Sequence, residues 1–85
     1  MEVGITPYFT KRAKRLSPKE RKLLDLKTEI FQVNYLDARL KTHRLKGKLQ
    51  ECLSFSLTHS KRVKFILVSR HKALFVDVGS HDEVY

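Results

Sequence analysis

The stretch 53-LSFSLTHSKRVKFIL-67 decides the fold. Apolar and polar residues alternate on both sides of a short polar break at His59 and Ser60, and a period of two is typical of a half-buried β-strand. The pattern therefore predicts two antiparallel strands joined by a hairpin. Ala73 to Val78 is predicted to form a third strand after a further turn. The apolar face of this third strand is expected to comprise Leu74, Val76 and Val78.

The residues before this stretch predict one strand and two helices. Glu2 to Thr6 is expected to be a short strand ended by Pro7. The first helix has apolar residues at helical spacing at Phe9, Ala13 and Leu16. The second helix begins at Ser17, which can cap it, with Glu20 completing a capping box. Its apolar stripe is predicted to comprise Leu23, Leu26, Ile30 and Val33, flanked by Leu24 and Phe31.

The predicted element order is β-α-α-β-β-β, an α+β class with a helical hairpin packed on one face of a small antiparallel sheet. A chain of 85 residues is too short to fill two cores, so we expect a single domain over residues 1–85. The other face of the sheet is expected to carry Ser54, Ser56, Arg62, Lys64 and Asp77. Strand patterning alone leaves two interpretations of these residues open, an ordinary solvated face and a binding face.

The charge of the chain points to a polyanionic partner. Eighteen Lys and Arg residues against nine Asp and Glu residues give a formal net charge of +9. The excess is concentrated in two segments, 11–22 and the basic connection 34–48. Nucleic acid is the usual partner of such a domain, although a generally solvated basic surface is the alternative.

Several classes of function are disfavoured by what the sequence lacks. The single Cys52 cannot form an internal disulfide, and the spacing of Cys and His residues fits no zinc motif. Glu51, Asp77, Asp82 and Glu83 do not have the spacing of a metal motif, so we expect no metal and no cofactor. No apolar run reaches the roughly 18 residues of a membrane span, and the amino terminus lacks a signal-peptide pattern. A cytoplasmic protein is therefore expected.

Four histidines are candidates for proton transfer near neutral pH, since their side chain is the one best suited to it. They are His43, His59, His71 and His81. For each of them an exposed, inert histidine is the alternative. His71 lies in a predicted hairpin turn at the far end of the sheet and is discounted. Together with fixed cations such as Arg62, the others suit metal-independent RNA cleavage by a 2′-hydroxyl.

Three segments of the chain resemble a known family. The loop 41-KTHRLKGKL-49, the strand 53-LSFSL-57 leading to Arg62, and the ending 77-DVGSHDEVY-85 look like toxins of the RelE/ParE superfamily, closest to the YafQ-like branch. The resemblance spans essentially the whole chain. It implies the compact α+β toxin fold, cleavage of mRNA on the ribosome, and a co-encoded antitoxin as partner.

The resemblance also implies roles for individual residues. His81 takes the place of the family's late catalytic histidine, His43 that of the loop histidine, and Arg62 that of the phosphate-facing arginine. His59 is added as a further catalytic candidate, and Tyr85 matches a terminal tyrosine that is catalytic in the RelE branch. The residues expected to bind RNA are Lys41, Arg44, Lys46, Lys48, Lys61 and Lys64. Ser54 and Ser56 stand where RelE has lysines, which implies reliance on histidines.

Two other functions fit the same sequence. One is a ParE-like protein that inhibits DNA gyrase, because a fold does not fix a function. The other is a non-catalytic RNA-binding module or decayed toxin, whose charge only holds phosphates. His43 and His81 discriminate between these, since a gyrase inhibitor has no need of proton-transfer groups at those places.

Overall fold

The computed structural model describes residues 1–45 and 52–84. Three predicted site residues, Lys46, Lys48 and Tyr85, lie outside the described residues. The described elements, in chain order, are β1 (Glu2–Ile5), α1 (Pro7–Ala13), α2 (Pro18–Val33), a 3-10 helix (Ala38–Leu40), β2 (His43–Arg44), β3 (Cys52–Ser56), β4 (Lys61–Ser69), β5 (Lys72–Ser80) and α3 (His81–Val84). The predicted order is confirmed, and the 3-10 helix, β2 and α3 are additions to it that the sequence patterns do not predict.

Both long helices begin at side-chain caps. The Thr6 hydroxyl accepts a hydrogen bond from the backbone N–H of Phe9 at 3.1 Å, and α1 starts at the following proline. The Ser17 hydroxyl accepts from the N–H of Glu20 at 3.1 Å, while the Glu20 carboxylate accepts from the N–H of Ser17 at 2.9 Å. The predicted capping box is confirmed, and it satisfies donors that a helix start otherwise leaves unpaired.

In the described part of the chain the strands form one sheet in the order β1-β5-β4-β3-β2. The α+β class and the helical hairpin against a sheet are confirmed. The sheet is mixed rather than antiparallel, because β1 pairs parallel with β5 whereas the remaining pairs are antiparallel. The chain leaves β1 through the helices and does not turn back through a hairpin, so nothing forces an antiparallel pairing there.

The core is a cluster of phenylalanines between α2 and the sheet. The ring of Phe31 lies 5.5 Å from Phe55, 4.9 Å from Phe65 and 5.1 Å from Phe75, and all four side chains are buried. The predicted apolar stripe of α2 is partly wrong, since Leu26 is 54% exposed and Val33 is 90% exposed. A turn of about 100° per residue places both of them far from the face that carries Phe31.

The predicted apolar face of β5 is also wrong in part. The pairing of β4 with β5 shifts register between Lys64 and Phe65, so that Phe65 faces Phe75 while Lys64 faces Asp77. Val76 is the extra residue at this irregularity. Ala73 and Phe75, which precede Val76, are buried in the core, and so is Val78, which follows it. A β-bulge of this kind changes which face a residue takes, and it cannot be read from alternation.

We predict that Phe31→Ala lowers the free energy of unfolding by about 3–5 kcal/mol, since it removes the ring on which three others pack. That is a large part of the roughly 5–15 kcal/mol expected for a small domain. The measurement is urea unfolding followed by circular dichroism. Val33→Ala on the same helix is the matched control and should change the value by less than about 0.5 kcal/mol. Equal losses in the two variants would contradict this packing.

Candidate functional site

The face of the sheet turned away from α2 carries two rows of cross-strand neighbours, which we call the polar rows. The first row runs across four strands and consists of His43, Ser54, Lys64 and Asp77. The second row consists of Ser56, Arg62 and Gly79. Residues directly opposite each other project to the same face with Cβ atoms about 4.5–5.5 Å apart. The register therefore confirms that the five polar strand residues expected on this face share it.

Two members of the first row are buried although they are polar. Ser54 is 0% exposed and Asp77 is 5% exposed. The Asp77 carboxylate accepts a hydrogen bond from the N–H of Val78 at 2.8 Å and lies 3.5 Å from the guanidinium of Arg12 in α1. A buried carboxylate needs such partners, so Asp77 is a structural member of the row rather than a free acid.

Arg62 brings a cation into the second row. Its Nη1 is buried and makes no hydrogen bond with any residue that the structure describes. Buried donors without partners are rare in folded proteins. This N–H could donate a hydrogen bond to an anionic oxygen if the side chain turned outward, and it lies on β4 beside Ser56 and Gly79 of the neighbouring strands.

His43 occupies the end of the first row on the short strand β2. Its Nδ1 lies 3.2 Å from the backbone oxygen of Lys41, and its Nε2 lies 3.5 Å from the hydroxyl of Ser54. The second distance is long for a hydrogen bond, although contacts at reactive sites often tighten only when a substrate is bound. The imidazole is exposed.

His81 is the first residue of α3 and follows directly on β5. A second capping box holds this turn: the N–H of Ser80 donates to the Glu83 carboxylate at 3.0 Å, and the N–H of Glu83 donates to the Ser80 hydroxyl at 3.3 Å. His81 is exposed. It lies two residues beyond Gly79, at the end of the second polar row.

Gly79 leaves room for the ionic contacts that tie α3 to α1. A Cβ at this position would lie 2.7 Å from Nη2 of Arg12 and 2.9 Å from the carboxylate of Glu83. Arg12 in turn lies 3.4 Å from Glu83. Burial alone would lower the pKa of Arg12, but its hydrogen bond to Tyr8 and the two nearby carboxylates raise the pKa overall. The guanidinium is therefore a permanent cation between the two helices.

The other two histidines, His59 and His71, lie at opposite ends of the sheet. His59 is exposed in the β3–β4 turn, and Lys61 just after it pairs with Ser80, so His59 is at the same end of the sheet as His81. His71 is in the β4–β5 turn, where Ser69 pairs with Lys72. Eight residue steps along β4 place that turn roughly 25 Å away. The expectation that His71 lies at the far end is confirmed.

Three of the residues expected to bind RNA do not lie in the polar rows. Lys61 faces α2 and lies 3.0 Å from Glu20, because it alternates with Val63 on the core side. Lys61 therefore lies on the opposite face from Lys64. Arg44 follows His43 along a strand and so points to the opposite face. Lys41 lies near Lys27 of α2, whose pKa is lowered first by burial and then by the charge of Lys41.

Two residues of this region were not singled out from the sequence. Glu83 could have been found, because Ser80 and Glu83 have the spacing of a capping box in the stretch 80-SHDE-83. Arg12 carried no such signal. Its role depends on the packing of α1 against β5, which brings it to Asp77 and Glu83 across more than 60 residues of chain.

The described residues show no metal site and no membrane span. No group of three His, Cys, Asp or Glu side chains in residues 1–45 and 52–84 is arranged to hold a metal ion. Within the same residues, none of the helices has the length and apolar character needed to cross a bilayer.

No protein-family model matches the sequence, and no curated protein matches it. Solved structures do match. YafQ from E. coli strain BL21(DE3) superposes with a TM-score of 0.82 over 99% of this chain and 97% of its own, at 15% identity. The fold is that of the RelE/YafQ toxins.

Two further structures carry the RelE/YafQ fold. The YoeB/ParE toxin from Agrobacterium tumefaciens matches with a TM-score of 0.78 over 95% of this chain and 99% of its own, at 13% identity. A chain of the RelB-RelE antitoxin-toxin complex from Methanococcus jannaschii matches with a TM-score of 0.77 over 96% of this chain and 94% of its own, at 19% identity. At these identities the likeness establishes the fold, and activity has to be argued from the side chains.

We predict that Glu83→Gln makes stability less sensitive to acid. The pKa of Glu83 is lowered first by the hydrogen bond from the Ser80 backbone, then by the Ser80 hydroxyl, with Arg12 and Arg15 adding to the effect. A lowered pKa means that the ionised form stabilises the fold. This stabilisation is complete above the ordinary value of 4.5 and is lost as the pH falls through the folded pKa.

The measurement is urea unfolding at several pH values between about pH 6 and pH 3. The parent should lose stability more steeply than Glu83→Gln over the acid part of this range. Asp82→Asn is the control, because Asp82 makes no hydrogen bond or ion pair with a described residue. Parallel curves for the parent and Glu83→Gln would contradict the capping box as an acid-sensitive element.

Proposed function

We propose that this chain is the toxin of a toxin–antitoxin pair and an endoribonuclease that cleaves mRNA on the ribosome without a metal. The proposal rests on the RelE/YafQ fold together with the contents of the polar rows. One observation carries it: the sheet register brings His43, Arg62 and Lys64 to one face, with His81 where that face ends. His43 on β2 and His81 after β5 are separated by β3 and β4, so the RNA strand is proposed to lie across this face and to meet the histidines and the cations in turn.

The chemistry needs two proton transfers and a stabilised phosphorane. A base removes the proton of the 2′-hydroxyl, the 2′-oxygen bonds to the adjacent phosphorus, and an acid protonates the departing 5′-oxygen. His43 and His81 are the proposed groups for these transfers, and His59 at the same end of the sheet is a further candidate. A positioned acid or base contributes roughly 10² to 10⁴ in rate.

The cations are proposed to stabilise the negative charge that develops on the oxygens of the phosphorane. Arg62 has a buried N–H with no hydrogen-bond partner among residues 1–45 and 52–84, and Lys64 lies two residues further along the same strand. Electrostatic stabilisation of developing charge usually contributes more to catalysis than any other single effect. Lys41, Arg44, Lys46 and Lys48 are proposed to hold more distant phosphates of the RNA, and Tyr85 to add to the site. Lys61 is left out because it is paired with Glu20.

The proposed partner is a cognate antitoxin protein, and the proposed location is the cytoplasm with its ribosomes. The RelB-RelE complex with the same fold supports the first part. A groove of about 350 Å³ between β1, α1 and α2 offers a place for a partner segment. It is lined by apolar Phe9 and Leu24 and by the charged residues Lys14, Arg21 and Asp25, and its two cations fit a partner segment that carries acidic residues beside apolar ones.

The decisive experiment adds the purified protein to translating ribosomes and maps the ends of the mRNA. The parent should create new ends within the message. His81→Ala should slow cleavage by roughly 10² to 10⁴ while its circular dichroism spectrum and thermal midpoint stay those of the parent. An exposed residue in a four-residue helix contributes little to the core, so the loss would belong to the chemistry.

His71→Ala is the matched control, since this exposed histidine lies at the other end of β4 and β5. It should cleave at the rate of the parent. Equal cleavage by parent and His81→Ala would exclude the proposed role of His81. Intact message together with inhibition of DNA supercoiling would favour a gyrase inhibitor, and RNA binding without new ends would favour a non-catalytic module.

A further inference from the structure

The segment that leads into His43 is held by a dense set of local bonds. The Asp37 carboxylate accepts from the backbone N–H of Arg39 at 2.9 Å and pairs with its guanidinium at 2.9 Å. These contacts, the side-chain hydrogen bond first, lower the pKa of Asp37 to about 2. The carboxylate therefore stays ionised at any physiological pH, and the start of the 3-10 helix stays capped.

Both neighbours of Lys41, Leu40 and Thr42, are held by tertiary contacts. Leu40 is 0% exposed in the core beneath the sheet. The hydroxyl of Thr42 donates to the backbone oxygen of Tyr35 at 2.6 Å. The peptide units around Lys41 thus have little freedom, although the Lys41 side chain itself is exposed.

Lys41 has a left-handed backbone conformation, with φ of 52° and ψ of 44°. No other non-glycine residue in the described ranges has a positive φ. This conformation ends the 3-10 helix and is one that glycine adopts freely, whereas β-branched residues adopt it rarely. It also directs the carbonyl of Lys41 to within 3.2 Å of Nδ1 of His43.

The contact between the Lys41 carbonyl and Nδ1 of His43 indicates which ring nitrogen carries the hydrogen. A carbonyl oxygen can only accept, so a hydrogen bond at this place requires the hydrogen on Nδ1. In a neutral imidazole the other nitrogen, Nε2, is then the proton acceptor. Nε2 is the atom that lies 3.5 Å from the hydroxyl of Ser54, a fully buried residue of the first polar row.

We propose that the backbone carbonyl of Lys41 and the hydroxyl of Ser54 are positioning groups for His43. They hold the imidazole as the Nδ1–H tautomer and keep Nε2 on the face of the polar rows as a proton acceptor. Partners on the second ring nitrogen fix histidine tautomers in this way at many catalytic and metal sites. The left-handed conformation of Lys41 is what makes the carbonyl available.

The catalytic consequence rests on the proposed function. His43 Nε2 takes the proton of the 2′-hydroxyl as the O2′–P bond forms, and the Ser54 hydroxyl, whose contact of 3.5 Å is long, turns away from the single lone pair of Nε2 as the substrate binds. The P–O5′ bond breaks, and the 5′-oxygen receives its proton from a separate acid, for which His81 is the candidate. The imidazolium formed on His43 keeps its Nδ1–H bond to Lys41, so the positive charge arises next to a carbonyl dipole.

The first test needs no RNA. Two-bond ¹H–¹⁵N spectra of the isolated protein in alkaline buffer, where imidazoles are neutral, report which ring nitrogen of His43 carries hydrogen. The signals are assigned by their disappearance in His43→Gln. We expect hydrogen on Nδ1 and none on Nε2. Hydrogen on Nε2, the form that free histidine prefers, would overturn the inference whether or not the protein cleaves RNA.

The second test compares two substitutions that both remove the charge of Lys41. Glycine adopts the left-handed conformation freely, whereas valine adopts it rarely. The two variants therefore differ in whether residue 41 keeps its backbone conformation. Lys41→Val should cleave ribosome-bound message about 10-fold or more slowly than Lys41→Gly, the size of effect seen when a supporting partner of a histidine is lost. The Nδ1–H tautomer should persist in Lys41→Gly and be lost in Lys41→Val.

Equal tautomers and equal rates in the two variants would overturn the proposed role of the carbonyl. Ser54→Ala tests the other group and should slow cleavage by about 10-fold with unchanged RNA affinity. Unchanged cleavage in this variant would remove Ser54 from the proposal. If the parent does not cleave message at all, the proposed function fails, while the spectra still decide whether His43 is held as described.

Discussion

Phe31 packs its ring against three phenylalanines of the sheet, and the placement of the polar rows depends on that contact. The centroid of the Phe31 ring lies 4.9 to 5.5 Å from those of Phe55, Phe65 and Phe75, and these contacts hold α2 against the sheet. Because side chains alternate along a strand, burying these rings on one face obliges their neighbours to take the other. The position of the polar rows therefore follows from the packing of the core. A shift of the strand register by one residue would move the apolar side chains to the outer face and the polar side chains to the core face.

The face so created is unusual in what it holds. Arg62 has a buried N–H with no hydrogen-bond partner in the described part of the chain, and an exposed histidine lies at the start of β2 and another just after β5. His43 comes from an edge strand supported by the 3-10 helix, whereas His81 comes from a short helical turn locked by Glu83 and Arg12. The backbone segment that carries each histidine therefore has its own set of supporting contacts.

Much of the fold could be predicted from the sequence because local signals agree with the tertiary structure. The alternation in 53–67 predicts β3 and β4, and the Ser17 capping box predicts the start of α2. The buried face of α2 could not be predicted, since Leu24 and Phe31 compete with an equally regular set at Leu26 and Val33. The bulge at Val76 and the parallel pairing of β1 arise only when the sheet assembles.

The candidate site was predictable to a similar degree. The polar strand residues follow from alternation, and the histidines stand out by their chemistry. The same alternation places Lys61 with Val63 on the core side of β4. The support of His43 was not foreseeable, because lysine has no preference for the left-handed backbone that Lys41 adopts. Contacts between α1 and α3 depend on residues far apart in sequence.

The central claim is that a 2′-hydroxyl, activated on the face of the polar rows, cuts the message. The most direct measurement is the chemistry of the ends produced on translating ribosomes by the purified protein. Attack by the 2′-hydroxyl leaves fragments with a 2′,3′-cyclic phosphate and a 5′-hydroxyl, and we expect these fragments to be lost when the nucleotide at the cut carries a 2′-O-methyl group. Fragments with a 3′-hydroxyl and a 5′-phosphate, or cleavage that tolerates the methyl group, would contradict it.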